Sequence, residues 1–433
     1  MALEKEQQFP NLYHNVPKAK PLCYIIIIFF ISGYNLANAK SLNQAVKDAI
    51  SNSKELKAQE YYLKSAKSTK NEAYSEFLPE VSASLQYGEK KNDSLQNSDQ
   101  FEDEENQTFS ISQPLFQGFG GVFKLNQGKN SYLSSLNSYE KFKHELILKT
   151  INIYLSLYKA RKDLEIVGEN KDLHEKILDR ISMRKNLISE SEQMDYEINY
   201  ANSLSLLEET NSNLDQAISD YRILVGNLDD GLSLPQIEDV DLDSLKILTE
   251  KIESHPLVKE KHHAYLASKA NSKIALSEFS PKANLVAQAR EEKDVVYLGG
   301  DDLETKSIYV DISIPIFQKG LEYSRLSKSK NEEEAKRYEY LHAKEQILEE
   351  LKKALRDYKS KKQIFESKER IFKLTEKQYQ KQKTNFDYGK ADSISFHQSH
   401  IKYNEAKITR LEAEIAMLIS YYKLKILVGE FET

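Results

Sequence analysis

Apolar and polar positions along this chain follow two rhythms, and the rhythms come in the same order twice. From Leu42 to Phe77 apolar residues recur at helical spacing (Leu42, Val46, Ala49, Leu56, Leu63, Ala66, Ala73), and Pro79 ends the run. The pattern then changes to strict alternation. Val81, Ala83, Leu85 and Tyr87 are apolar while Ser82, Ser84 and Gln86 are polar, which predicts a strand with one apolar face. After a polar stretch, Gly88–Gln107, a second strand is predicted where Phe109 and Ile111 alternate with Ser110 and Ser112. Pro114 and the glycines Gly118, Gly120 and Gly121 are expected to break it. A helix is predicted over Val122–Lys185, and at ~1.5 Å per residue it would be about 95 Å long. A shorter helix returns over Ser191–Gly226, with Leu204, Leu207, Leu214, Ile218, Tyr221 and Val225 on one face.

The second half repeats this order. A helix over Ile252–Phe279 ends before Pro281, and a strand follows from Ala283 to Ala289. A second strand places Ile308, Val310, Ile312 and Ile314 on one face, and Pro315 and Gly320 turn the chain into a helix over Leu321–Phe386. Along that helix Leu351, Tyr358, Phe365, Phe372 and Tyr379 recur every seven residues. The last helix repeats the rule with Ile394, Ile401, Ile408, Ile415 and Tyr422, as expected of helices coiled against neighbours. Landmarks confirm a duplication. "SEFLPEVSASLQ" at Ser75–Gln86 returns as "SEFSPKANLVAQ" at Ser277–Gln288, offset 202. "ISQPLFQ" at Ile111 returns as "ISIPIFQ" at Ile312, offset 201, and "ILVG" at Ile223 returns at Ile426, offset 203. So long a period marks two large structural halves rather than a solenoid. The expected division is a first repeat over 40–226, a linker over 227–243, a second repeat over 244–429 and a tail over 430–433. The two short helices of the first half, Leu42–Glu76 and Ser191–Gly226, sum to about the length of the long one, so two short helices stacked end to end could lie beside one long helix.

Composition agrees with long, wet helices. Charged residues make up 30% of the 433, Trp is absent, and there are only 14 Gly and 9 Pro. The mean hydropathy is −0.62. A net charge of −6 gives no bulk attraction to nucleic acid. Lys18 and Lys20 precede the apolar run Tyr24–Ile31, and Ala37-Asn38-Ala39 offers a small-residue cleavage site. Residues 1–39 therefore read as a secretory signal, with an uncleaved anchor as the other reading. Removal of that segment takes three Lys, two Glu and the single cysteine, Cys23, which leaves a cysteine-free chain of charge −7. A secreted chain without disulfides must be stabilised by packing or oligomerisation.

Four strands of about ten residues, apolar on one face and rich in Ser, Thr and Gln on the other, match outer-membrane strands in length and pattern. A soluble antiparallel sheet shares that alternation, but nothing in a chain of rods offers to cover its apolar face. Four strands cannot close a barrel, and an open edge in lipid leaves backbone groups unpaired. Several chains would have to share one barrel, and three would give twelve strands.

The duplicated layout, "SEFLPEV" and "SEFSPKA" before the first strand of each half, "SQPLFQGFGG" and "SIPIFQKG" after the second, and "LVG" closing both halves resemble the TolC family of outer membrane efflux proteins. The resemblance covers about Ser41 to Gly429. It implies a mainly α fold with a transmembrane β part: a homotrimer whose twelve-stranded β-barrel in outer membrane lipid continues as a long α-helical barrel across the periplasm of a Gram-negative bacterium. It also implies an exit duct for efflux or type I secretion, served by a periplasmic adaptor (membrane fusion) protein and an inner-membrane transporter, with no catalytic site and no cofactor. The family's gating residues lie at the periplasmic tip. Matching the corner glycine to Gly389 places Ser395 and Gln398 where aspartates are usual, with Asp392 the nearest carboxylate. Phe386 stands for a tyrosine, Ala391 beside Lys390 for an arginine, and Ser191 and Glu192 mark the first-half corner. The family's proline in the first helix is Lys54 here but survives as Pro256.

The expected helix–strand transitions are Pro79, Pro114, Gly118, Pro281, Pro315 and Gly320, and the candidate lipid-facing residues are Val81, Leu85, Phe109, Ile111, Val310 and Ile312. His397 and His400, three apart on one helix, could form a metal-binding or pH-sensing ring in a trimer, though no carboxylate completes a ligand set. His255, His262 and His263 read as solvated helix residues. The acidic run Phe101–Asn106 and the pair Asp301-Asp302 are expected in strand-connecting loops, either as a cation-attracting mouth or merely solvated. No phosphate loop, catalytic triad or metal motif points to an enzyme. The other function class compatible with the heptads and the signal is a secreted coiled-coil scaffold or adhesin with a soluble β cap.

Overall fold

The computed structural model describes residues 41–90, 102–183, 189–228, 231–235, 237, 251–295, 301–390 and 393–431. The expected signal segment, Phe101 and Asp392 lie outside them, as does most of the linker. The first half comprises α1 (Leu42–Asn52), α2 (Lys54–Ser75), β1 (Glu80–Lys90), β2 (Glu102–Gln117), α3 (Gly120–Ser182) and α4 (Glu190–Leu224). The second comprises a 3-10 turn (Ile252–Ser254), α5 (Pro256–Ser277), β3 (Lys282–Val295), β4 (Asp301–Ser313), α6 (Leu321–Asp387) and α7 (Ser393–Leu427).

The duplication reaches the level of single turns. The first helix is not continuous over Leu42–Phe77 but breaks at Ser53 (φ −63°, ψ 112°), whose hydroxyl accepts from Leu56 N at 3.0 Å. In the second half His255 (φ −65°, ψ 134°) breaks the chain in the same way, its Nδ1 accepting from Leu257 N at 3.2 Å before Pro256 opens α5. Lys54 thus starts a helix where Pro256 does, 202 residues on, and a serine cap does the work of the missing proline. His255 is accordingly a helix cap, not a solvated residue, and burial holds its pKa down at about 4.

Along α3, α2 packs over the start and α4 over the far end, with α1 between. Asn52, the last residue of α1, donates from Nδ2 to Val225 O at 2.8 Å, so the short helices do meet end to end beside the long one. The main core lies at that level. Ile151, Tyr154, Leu155 and Leu157 of α3 pack with Val46 and Ala49 of α1, Tyr221 of α4, Ile347 and Leu351 of α6 and Leu424 of α7. Tyr154 pins part of the expected linker there: its hydroxyl donates to Ser233 O at 2.7 Å and accepts from Ser233 N at 3.0 Å. Leu204, expected on the apolar face of α4, is exposed.

The four strands form one antiparallel sheet in chain order. Three strands differ from expectation. β2 does not stop at Pro114 but runs to Gln117, because a bulge takes up the missing N–H: Pro114 pairs with Asn284, and Phe116, two residues on, pairs with Ala283. Pro114 is therefore an interior strand residue, whereas Pro79 and Pro281 immediately precede β1 and β3. The acidic residues 102–106 belong to β2, where Asn106 pairs with Gln86 and Glu105 with Tyr87. Asp301 and Asp302 belong to β4, so neither acidic group is a connecting loop. β3 extends to Val295, six residues beyond the expected end.

Candidate functional site: an apolar sheet face and a helical tip

The register sorts the sheet into two faces. Val81 of β1 lies opposite Ile111, Ile111 opposite Ala287, and Ala287 opposite Ile308. The next rung is Ala83, Phe109, Ala289 and Lys306, and Leu285 and Ala283 of β3 face Val310 and Ile312 of β4. All six candidate lipid-facing residues thus fall on one face, because period two is unbroken at these rungs, between the register shifts at Pro114/Phe116 and Glu292/Val295. That face is bare in the single chain. Leu85 is 64% exposed, Ile312 63% and Ile308 78%, and the other four are also exposed. The opposite face carries Ser82, Ser84, Thr108, Ser110, Gln288 and Ser307. Among the described residues, β1 and β4 each have one ladder edge without a partner strand.

Each β-hairpin passes into its long helix through two consecutive left-handed residues. These are Gly118 (φ 58°) and Phe119 (φ 65°) in the first half, Lys319 (φ 58°) and Gly320 (φ 74°) in the second. The turn therefore recurs at offset 201 with its glycine moved one place. Gly118 needs its missing side chain, since a Cβ there would lie 2.3 Å from Ser280 Cβ; nothing lies within 4 Å of such an atom at Gly320.

At the far end of the helices a second cluster joins Ile177 of α3, Tyr196 of α4 and Phe396 of α7, with Tyr379 and Phe386 of α6 packed against it. The heptad read along α6 continues to Phe386, which stacks on Phe396 at 4.6 Å with planes 8° apart. Tyr379 stacks on Tyr403 at 4.9 Å and 9°, and Phe372 on Tyr403 at 5.8 Å. The α7 residues that meet this aromatic heptad are Phe396, Tyr403 and Arg410; of the expected row, Ile415 and Tyr422 are buried in the main core, whereas Ile401 is exposed. Arg410 sits 5.8 Å from both the Phe365 and Phe372 rings, and its Nε donates to Glu369 Oε2 at 2.5 Å. That bond holds the Glu369 carboxyl below its ordinary pKa, while burial pushes Glu414, 3.3 Å from Arg410, upward.

The two sequence-singled histidines are not side by side on a wet pore surface. His397 and His400 are buried, and His174 of α3, which the sequence reading missed, packs edge-to-face on His397 at 4.7 Å. Asn404 Nδ2 reaches His400 Nε2 at 3.2 Å and donates to Asn170 Oδ1 at 3.1 Å, and Lys407 donates to Glu169 at 2.8 Å. Both ring nitrogens of His397 lack a hydrogen-bond partner among the described residues. Burial, with the neighbouring histidine His397 second, lowers His174 to about 4, and burial lowers His397. Burial, with His174, His397 and Lys407 next, lowers His400 to about 4. Among the described residues no group of three or more His, Cys, Asp and Glu is arranged to hold a metal. A heptad count on α3 could not have revealed His174, because only the α3–α7 crossing brings it to His397.

Of the other expected tip residues, Ser191, Lys390 and Gln398 are exposed, Ser395 is half-buried, and the Glu192 side chain lies outside the described residues. Gly389 (φ 67°) ends α6: its N–H bonds to Phe386 O at 3.0 Å and that of Lys390 to Asn385 O at 2.7 Å, a Schellman cap. Among the described residues no helix is long and apolar enough to cross a membrane.

Residues 45–186 match the family model described as outer membrane efflux protein. Among solved structures the chain is similar to the Campylobacter jejuni CmeC outer membrane channel, with TM-score 0.79 and 16% identity over 90% of this chain and 86% of that one. It is similar to the open state of the Neisseria gonorrhoeae MtrE outer membrane channel, with TM-score 0.77 and 15% identity over 90% and 88%. It is also similar to a membrane protein from Pseudomonas aeruginosa, with TM-score 0.79 and 15% identity over 90% and 93%. At such identities these likenesses establish the fold. None of the curated protein sequences compared matches the chain.

Proposed function

For a chain whose residues 45–186 match the outer membrane efflux protein family model, we propose the work of a passive exit duct in the outer membrane of a Gram-negative bacterium. Three copies close a twelve-stranded barrel in lipid, and their helices continue the tube into the periplasm. An inner-membrane transporter, coupled through a periplasmic adaptor, hands over the substrate for efflux or type I secretion, and the duct performs no chemistry. The observation that carries this reading is the sheet. One face carries the apolar rung Val81–Ile111–Ala287–Ile308 with Leu85, Phe109, Val310 and Ile312 around it, uncovered, and turns polar only from Lys306 and Gln107 towards the hairpin ends. The other is rich in Ser, Thr and Gln, the arrangement that a lipid outside and a water-filled lumen require. A soluble cap on a secreted scaffold would need something over that face, and no described element packs there.

The test is a charge on the apolar face. Val310→Asp is expected to abolish membrane assembly and the transport phenotype, since a carboxylate facing lipid costs about 2–3 kcal/mol per chain at mid-depth and recurs three times round the barrel. Asp311, on the opposite face, tolerates its native carboxylate there. Normal membrane assembly of Val310→Asp would contradict a lipid-facing sheet.

A further inference from the structure

From the level of the main core towards the tip, α4 and α7 both pack on α3 and leave a cavity of about 590 Å³ between them, within the range of small-molecule sites. Its floor carries Asn152, Lys159 and Asp163 of α3, and its walls Glu209 and Asp220 of α4 and Glu412 of α7. Asn152 Oδ1 and Asp163 Oδ1 are both shut off from solvent and have no hydrogen-bond partner among the described residues. Buried acceptors of this kind call for donors. Lys159 does not supply them: its ammonium is held by Asp163 Oδ2 at 2.6 Å and lies 3.3 Å from Glu412. Nor does α4, because Glu190–Leu224 holds eight carboxylates and a single basic residue, Arg222, which does not line the cavity.

The cavity is long as well as acidic. Because α3 and α4 run antiparallel, Asn152 and Asp220 lie towards one end and Asp163 and Glu209 towards the other. Asp163 comes eleven residues after Asn152 on α3, which at the helical rise is about 16 Å. Between those ends the lining is Ile153, Ala160 and Ala217. The second half carries no such set. At offsets of 201 and 203 the equivalents of Asn152, Asp163 and Asp220 are Lys353, Ile364 and Lys423. The acceptors therefore belong to this one groove and not to the repeated scaffold.

We propose that this cavity binds a linear polyamine. One terminal ammonium is taken by Asn152 Oδ1 and the Asp220 carboxylate, the other by Asp163 Oδ1 and Glu209, and the methylene chain between them lies over Ile153, Ala160 and Ala217. An ammonium brings three donors and no acceptor, which suits a site built of acceptors. Asp220 accepts from Gln216 Nε2 at 3.0 Å through Oδ1 and keeps its other oxygen for the ligand. A compact cation fits less well, because the acceptors stand at two separated ends and no group among the described residues is arranged to hold a metal. Every residue of the site comes from one chain, so the proposal does not rest on the duct reading.

The probe is spermine, titrated by calorimetry into the full chain in nonionic detergent at low salt. A single saturable site per chain is expected, and Asp163→Asn and Asp220→Asn should each weaken it by about tenfold or more. Should Asp163→Asn not fold, Asp220→Asn, whose side chain is exposed, gives the reading. Asp215→Asn removes the same charge from α4 outside the cavity and is expected to leave the affinity within about twofold. Ethylammonium, which has one charged end, is expected to bind about tenfold or more weakly than spermine. Absence of a saturable site overturns the proposal. Equal losses for Asp215→Asn and Asp220→Asn overturn it too, because they assign the binding to general attraction by an acidic helix. So does displacement of spermine by an equal concentration of magnesium ion, which would make charge density, not chain length, the quantity recognised.

Discussion

Gly118 and Ser280 touch across the junction of the two halves, and a β-carbon on Gly118 would lie 2.3 Å from that of Ser280. The residue also sits at φ 58°, so Gly118→Ala combines left-handed strain of about 1–2 kcal/mol with a backbone-level clash. Thermal unfolding followed by helical circular dichroism should show a large loss for Gly118→Ala, about 3 kcal/mol or more. Gly320→Ala meets open space and should lose only the strain, about 1–2 kcal/mol. Ser280→Gly should restore part of the first loss and none of the second. Equal losses at the two glycines would mean that the junction is not tightly packed.

Arg410 ties α7 to α6 through the Glu369 carboxylate and two phenylalanine rings. Arg410→Ala should cost about 2–3 kcal/mol, and Arg410→Lys about half of that, because an ammonium keeps the charge but loses the planar stacking. A double-mutant cycle with Glu369→Gln checks it: coupling below about 0.5 kcal/mol would assign the cost to packing alone.

Acidification should loosen the tip. His174 and His400 are held neutral, at about 4 against 6.5 when unfolded, so their contribution is full above pH 6.5 and is lost as the pH falls towards 4. The charged and titratable groups around them are His397 and Lys407 on α7, Tyr379 on α6 and Glu169 on α3, whose carboxylate is already occupied by Lys407. Hydrogen exchange at 166–182 and 396–407 should accelerate between pH 6.5 and 4 more than at the main core. His174→Phe with His400→Leu should flatten that dependence, and an unchanged pH profile in this variant would assign the acid response to other groups.

Those two predictions rest on contacts that the sequence did not display. Periodicity showed the long helices, the four strands, their apolar faces and the duplication, because each is a property of one segment compared with itself or with its copy. It missed the break at Ser53, where a serine cap replaces the expected proline and leaves no breaker to read. It ended β2 at Pro114, because a bulge that rescues a proline is decided by the partner strand. Its row on α7 is buried at Ile415 and Tyr422 but not at Ile401, since a neighbouring row through Phe396 and Tyr403 is also spaced by seven and meets the α6 rings towards the tip. It placed Phe386 at the tip without its partner Phe396, and His397 without His174.

The gate prediction concerns Gln398, which is exposed near the α6–α7 corner where the family resemblance implies an acidic position. If it lines the constriction, Gln398→Asp places three carboxylates round the pore, and block by a divalent or trivalent cation in planar bilayers should strengthen by about tenfold or more. Unchanged block would move the constriction elsewhere, with the Phe386–Phe396 stack the next element to probe.

The most direct measurement is the mass of the chain extracted from membranes in mild detergent. The account predicts a species of three chains that depends on detergent for solubility, because the apolar face and the two open sheet edges are satisfied only in a closed barrel. A monomer or helical dimer recovered in the aqueous fraction would contradict it.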